Sequence, residues 1–218
     1  MTDHRTITLF HSPQTRSSAA LMLLEELDAP YELRTLDLKS GEQREDGYLA
    51  INPMGKVPAI LDGDVLVTEQ VAIFIHLADR FAQAGLAPAL SDPRRGVYLR
   101  WLAFYAGCFE PAVVDRFLKH TPPADHSIYR DFDTMLGILE AQLATGPYLL
   151  GDEITAADIL WGTALRWTMM FGIVPRRPVF TAYADRIGDR AAVQKIDALD
   201  RKLAADHEAA STSAAGVT

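Results

Sequence analysis

The chain has 218 residues, 49% apolar and 23% charged, with a formal net charge of −8. That length allows one large or two small domains, and the apolar share supports a sizeable core rather than disorder. The acidic balance argues against nucleic acid as a partner, since phosphate recognition needs clustered Lys and Arg, and the single cysteine excludes a disulfide framework and a cysteine-rich metal site.

Strand and helix signals alternate over the first eighty residues. "TITLF" (Thr6–Phe10) is β-branched and apolar, and the turn- and cap-rich "HSPQTRSS" follows it. Ala20, Leu23, Leu24 and Leu27 then recur at helical spacing, which predicts a helix over Ser17–Leu27. "YELRTLDL" predicts a second strand, so the order is βαβ with parallel strands. The polar stretch "KSGEQREDGYLAIN" predicts an irregular helix at most. "PAIL" and "VLV" flank "DGD", a hairpin signal, and Val71, Ile75 and Ala78 mark a helix over Glu69–Phe81.

From Gln83 the composition changes. "QAGLAPALSDP" reads as a linker, and strand patterns nearly vanish after it. Val97, Trp101, Phe104, Cys108 and Ala112 form one stripe of a long helix, and Tyr98, Leu102, Tyr105 and Phe109 form its neighbour. Further helices are predicted at Tyr129–Leu143, Ala156–Phe171, Phe180–Ile187 and Ala191–Ala209. The expected domains are therefore 1–82 (α/β), a linker at 83–92, an all-helical 93–209 and a disordered tail at 210–218. No secretory leader is visible, and no apolar run reaches the roughly 20 residues needed to span a bilayer. A cytoplasmic protein with no membrane role is expected.

Three places carry residues suited to chemistry. At Val57-Pro58 the bond is either a trans turn or a cis corner, and a cis corner would leave the Val57 backbone free to pair with an extended ligand. At the seam after Thr68, Glu69 and Gln70 stand where helix N–H groups wait for an anion. There Thr68 caps the helix and Glu69 answers its dipole, or else Glu69 and Gln70 grip the amine and carboxylate of an amino-acid zwitterion. In the first strand-to-helix turn, Ser12, Thr15, Ser17 and Ser18 offer hydroxyls that serve as caps or as stabilisers of a thiolate.

Together, the βαβ–ββα order, "NPMGKVP", the acid-led "TEQVAIFIHLAD" and the following helical domain resemble a cytosolic glutathione transferase. "YLLGDEITAADILWG" resembles the family's structural signature in the second domain, with Thr155 and Asp158 spaced as a capping box. The resemblance spans about 6–204. It implies a thioredoxin-like N-terminal domain followed by a helical-bundle domain, with Pro58 cis. It also implies Val57 pairing with the cysteinyl backbone of glutathione, and Glu69 and Gln70 holding the γ-glutamyl end.

Two positions depart from the family pattern. Gln70 stands where a serine is usual. The first strand ends Phe10-His11 without the tyrosine of the mammalian-type classes, and Arg16 occupies the neighbourhood of the cysteine of the thiol-exchange classes. A bacterial-type serine/threonine centre is what the resemblance then implies. Thr15 falls near the catalytic serine of plant-type transferases, with Ser12 and Ser17 as alternatives. Lys39, Gln43 and Lys56 are candidates for the glycine carboxylate by charge or polarity. Trp101, Tyr105, Phe109, Phe117 and "WTMMF" (Trp167–Phe171) are candidates for an apolar electrophile pocket, expected between the first domain and the long helix. Cys108 reads as core.

The expected function is conjugation of the glutathione thiolate to a hydrophobic electrophile by a homodimer that uses glutathione as co-substrate and no metal. The alternatives are a glutathione-dependent isomerase, lyase or dehalogenase, and a non-catalytic ligand-binding or protein-interaction module.

Overall fold

The computed structural model describes residues 6–215. Two compact units divide the chain, 1–84 together with 191–218, and 85–190.

In the first unit a four-stranded sheet has the order β2-β1-β3-β4. Its strands are β1 (Ile7–His11), β2 (Tyr31–Thr35), β3 (Ala59–Asp62) and β4 (Val65–Val67). β1 pairs in parallel with β2, Leu9 opposite Leu33, and antiparallel with β3, Leu9 opposite Ile60. Its central place explains its near-continuous apolar sequence: Ile7 and Leu9 are wholly buried, whereas Val65 and Leu66 on edge strand β4 are exposed. The hairpin joining β3 and β4 turns through Gly63, whose φ of 62° suits a two-residue loop.

Helix α1 (Ser17–Glu26) follows β1, and its first eight residues are all buried. The polar stretch after β2 forms one 3-10 turn at Glu42–Arg44 and the single-turn α2 (Asp46–Leu49). α3 (Gln70–Arg80) is tied to β3 by His76 and Arg80, whose nitrogens lie 3.0 and 2.8 Å from Asp62 Oδ2.

The last helix, α9 (Ala191–Ala215), corrects the expected domain plan. It belongs with the α/β unit, not with the helical one. α9 packs on α1, burying Val193 and Ile196, and Lys195 Nζ meets Glu25 Oε2 at 2.7 Å. Periodicity shows that a helix has an apolar stripe but not which body the stripe covers. α9 also carries helix into the tail expected to be disordered at 210–218, of which 216–218 lie outside the described residues.

The second unit is helical. α4 (Arg95–Phe104), a π-helical turn at Tyr105–Phe109 and α5 (Glu110–Phe117) run as one rod. Pro111, at the start of α5, has no N–H to continue the ladder, and the wider π turn absorbs the mismatch. The Tyr98, Leu102, Tyr105, Phe109 stripe is buried throughout, whereas the other stripe is mixed, with Trp101 and Ala112 buried and Val97 exposed. Trp161 lies at the centre of this core, its ring 5.3 Å from Tyr105 and 4.8 Å from Phe109, with its Nε1–H donating to the Trp101 carbonyl at 3.0 Å.

α6 (Phe132–Leu143) begins later than its predicted Tyr129, because Asp131 caps it by accepting the Thr134 N–H at 2.8 Å. α7 (Ala156–Met170) opens on the expected capping box, with Thr155 N–H donating to Asp158 Oδ2 at 2.8 Å. Leu149 N–H and Tyr183 O–H donate to Asp158 Oδ1 at 2.7 and 2.8 Å. Burial pushes the Asp158 carboxyl up, and these donors oppose the shift. α8 (Pro178–Gly188) packs on α7 so closely that a Cβ at Gly162 would sit 2.4 Å from Ile187 Cγ1.

Candidate active site

The turn between β1 and α1 is held by a network of backbone groups and hydroxyls. Gln14, with φ of 57°, reverses the chain, and its N–H donates to Asp200 Oδ2 on α9 at 3.0 Å. Thr15 Oγ1 lies 2.8 Å from the Ser12 carbonyl, which it can donate to, and 2.7 Å from Ser17 Oγ. Ser17 Oγ accepts the Ser12 N–H at 3.1 Å and lies 2.8 Å from His11 Nδ1. It is the backbone of Ser12, rather than its hydroxyl, that enters this network.

Behind the hydroxyls stands a buried histidine and its acid. His11 is wholly buried at the end of β1, and its Nε2 lies 3.1 Å from Asp200 Oδ1, an ion-pair distance somewhat off the axis of a well-aligned hydrogen bond. Ser18 Oγ donates to Asp200 Oδ2. Burial pushes the Asp200 carboxyl up, but His11, Ser18 and the Gln14 N–H together outweigh it and hold the group below its ordinary value.

The three candidate hydroxyls differ in access. Ser12 and Ser17 are buried, at 4% and 0% exposure, whereas Thr15 is half-buried. Thr15 lines a cleft of about 440 Å³ whose walls include Ser12, Asp37, Lys39, Arg201, His207 and Glu208. Lys39 sits on its rim, with Nζ 3.4 Å from Glu208 Oε1 in an exposed pair. Val57, Glu69 and Gln70 do not line this cleft.

Val57-Pro58 is cis, as the resemblance implied. Pro58 is buried, and Val57 packs partly buried against Phe10, Leu36, Tyr48 and Ala59. The loop before it is pinned through the Lys56 carbonyl, which accepts from Tyr48 Oη at 2.6 Å and Asn52 Nδ2 at 2.8 Å. The Lys56 side chain is exposed. Among the described residues, neither backbone polar group of Val57 is paired with another protein group.

Helix α3 begins at Gln70, and its N-cap is Glu69 rather than Thr68. No side chain caps the helix, and Glu69 adopts φ 64°, ψ 116°, an unfavourable conformation for a residue with a Cβ. Glu69 is exposed. Gln70 Nε2 donates to the Arg16 carbonyl at 2.9 Å, so the N-termini of α1 and α3 are joined.

Tyr105 and Phe109 are buried in the aromatic core of the second unit, where Tyr105 Oη donates to Glu110. Trp101 is buried too, while Phe117 and Phe171 are exposed. Cys108 is half-buried, its Sγ 3.9 Å from the Ile128 carbonyl, and burial pushes its thiol up.

Sequence reasoning missed Asp200, Tyr48 and Asn52. Asp200 was discoverable, because it follows Val193 and Ile196 at helical spacing and so falls on the apolar stripe of α9.

A thioredoxin-like sheet with a cis-proline, an acidic helix start and a separate helical unit defines the glutathione-binding class of fold. Comparisons of sequence agree: the family model described as "Glutathione S-transferase, N-terminal domain" matches 5–79, and that for the C-terminal domain matches 111–186. The chain belongs to the glutathione S-transferase family. It is 30% identical over 190 residues to glutathione S-transferase GstA of Escherichia coli O157:H7, covering 85% of this chain and 94% of that one. It is 28% identical to glutathione S-transferase F10 of Arabidopsis thaliana, over 88% of this chain and 96% of the relative. Among solved structures, a sphingomonad glutathione S-transferase complexed with glutathione is 31% identical, with a TM-score of 0.74 over 88% of this chain and 98% of that one.

Proposed function

We propose that this glutathione S-transferase uses Thr15 as its activating hydroxyl and conjugates the glutathione thiolate to hydrophobic electrophiles. The observation that carries this reading is the access of Thr15: it is half-buried on an open cleft, whereas the Ser12 and Ser17 side chains are buried. A hydroxyl donor beside a helix N-terminus stabilises a thiolate through both its O–H and the helix dipole.

Glutathione lies extended. Its cysteinyl backbone pairs with the N–H and C=O of Val57 in the manner of strand addition. Its γ-glutamyl ammonium meets the Glu69 carboxylate, and its γ-glutamyl carboxylate takes the N–H groups opening α3 and the Gln70 amide. Lys39 takes the glycine carboxylate. Its exposed pair with Glu208 is of the kind worth about 0–1 kcal/mol, so exchanging partners costs little. The functional form is a cytoplasmic homodimer.

Glutathione consumption with a panel of aromatic and alkyl halides tests this reading. Thr15→Ala lowers kcat/KM for conjugation about 10²-fold, the scale for losing one preorganised donor to a developing anion, and Thr15→Ser restores most of it. Full activity in Thr15→Ala would remove the threonine from the mechanism.

A further inference from the structure

The buried pair His11 and Asp200 does more than hold α9 against the turn. We propose that His11 is a positioning residue which takes up the glutathione thiol proton through Ser17 and Thr15, and that Asp200 holds the resulting imidazolium. This rests on Thr15 being the hydroxyl that meets the thiol.

The hydrogen-bond inventory leads to this assignment. Ser17 Oγ has one proton and four neighbours: the Ser12 N–H and carbonyl at 3.1 Å each, Thr15 Oγ1 at 2.7 Å and His11 Nδ1 at 2.8 Å. An ionised Asp200 at Nε2 can only accept, so the neutral ring keeps its proton on Nε2 and offers the Nδ1 lone pair to Ser17. Ser17 O–H then donates to His11, and Thr15 O–H, which has the Ser12 carbonyl at 2.8 Å as its other acceptor, donates to Ser17 at 2.7 Å in the relay arrangement. The hydroxyls form an aligned row from the cleft to a buried base, the logic of a serine–histidine–aspartate triad with one hydroxyl added.

The proton balance closes. The S–H proton passes to Thr15 Oγ1, the Thr15 proton to Ser17 Oγ, and the Ser17 proton to His11 Nδ1. The sulfur keeps its electron pair as a thiolate, Thr15 now donates to it, and the imidazolium faces the Asp200 carboxylate through Nε2–H. No oxidant or further reactant is required. Among the described residues, Asp200 is the charged group against the ring, and the cleft mouth adds Asp37, Lys39, Arg201, His207 and Glu208. Ser18 O–H and the Gln14 N–H both donate to Asp200 Oδ2, which leaves Oδ1 to face the ring at Nε2.

A structural role for the pair would not move a proton, so the test counts protons. Glutathione is added to the wild-type protein in weakly buffered indicator solution while thiolate absorbance is followed, and the ring nitrogens of ¹⁵N-labelled His11 are observed in parallel. Thiolate is expected without an equivalent release of protons, and His11 passes from the neutral to the doubly protonated form. S-methylglutathione, which has no thiol proton, leaves the ring neutral. In His11→Asn, whose amide oxygen keeps an acceptor for the Ser17 O–H but is no base, kcat/KM is expected to fall about 10²-fold with the KM for glutathione little changed. One proton released per thiolate, with His11 unchanged, overturns the relay. If Thr15→Ala abolishes the thiolate while His11 stays neutral in the wild type, the threonine reading stands and the relay alone fails. If Thr15→Ala keeps the thiolate, the threonine reading itself fails and the relay fails with it.

Discussion

Gln70 Nε2 donates to the carbonyl of Arg16 at 2.9 Å, and this bond joins the N-termini of α3 and α1. One helix start is assigned to the γ-glutamyl end of glutathione and the other to its sulfur, so the bond sets their separation. Gln70→Ala should therefore raise the KM for glutathione roughly fivefold, the worth of about 1 kcal/mol for one hydrogen bond, while kcat at saturation changes little. Equal losses in kcat and kcat/KM would show that Gln70 acts on the transition state instead.

Glu69 pays for its place in backbone conformation. With φ at 64°, glycine should be more stable than alanine at this position by about 1 kcal/mol, the reverse of their order inside a helix. Both Glu69→Gly and Glu69→Ala lose the carboxylate, so both should weaken glutathione binding to the same extent. Denaturant unfolding paired with calorimetric titration reads the two effects separately. Equal stability of the two variants would contradict the strain assignment.

The contact between α7 and α8 leaves no room for a side chain at one helical glycine. A Cβ at Gly162 would lie 2.4–2.8 Å from three side-chain atoms of Ile187, whereas one at Gly137 in α6 meets nothing within 4 Å. Gly162→Ala should cost about 1–3 kcal/mol through overpacking. The same substitution at Gly137 should gain up to about 1 kcal/mol from helix propensity. Urea midpoints of the two variants should move in opposite directions, and a shared direction would refute the packing argument.

Asp200 sets a pH dependence whose sign follows from its depressed ionisation. Its contribution to stability is present above the ordinary carboxylate range and is lost as pH falls through the lowered value of the folded state. Unfolding curves of wild type and Asp200→Asn should thus differ at neutral pH and converge in acid. Curves that stay parallel across the acid limb would show that the carboxylate charge is not what Asp200 contributes.

The sheet and its helices were legible because local signals agreed. "TITLF" is β-branched and apolar as a central strand is, "DGD" turns a hairpin, and "TAAD" caps α7. Three features resisted for physical reasons. The π turn at Tyr105–Phe109 follows from a missing N–H at Pro111, which helical periodicity does not register. The Glu69 backbone departs from what a helix-start signal predicts, because an unfavourable φ leaves no propensity trace. His11, a lone histidine at a strand end, could be read only as a polar residue without its acid, and Asp200 lies 189 positions further along the chain. Such pairings depend on where α9 folds back, which local pattern does not encode.

The most direct test of the account is a thiolate-absorbance titration of bound glutathione on wild type, Ser12→Ala and Thr15→Ala. The bound thiol should ionise well below its free value of about 8.5 in wild type and Ser12→Ala, and return toward that value in Thr15→Ala. A depressed ionisation that survives in Thr15→Ala would contradict the assignment of the activating hydroxyl, and with it the centre proposed for this transferase.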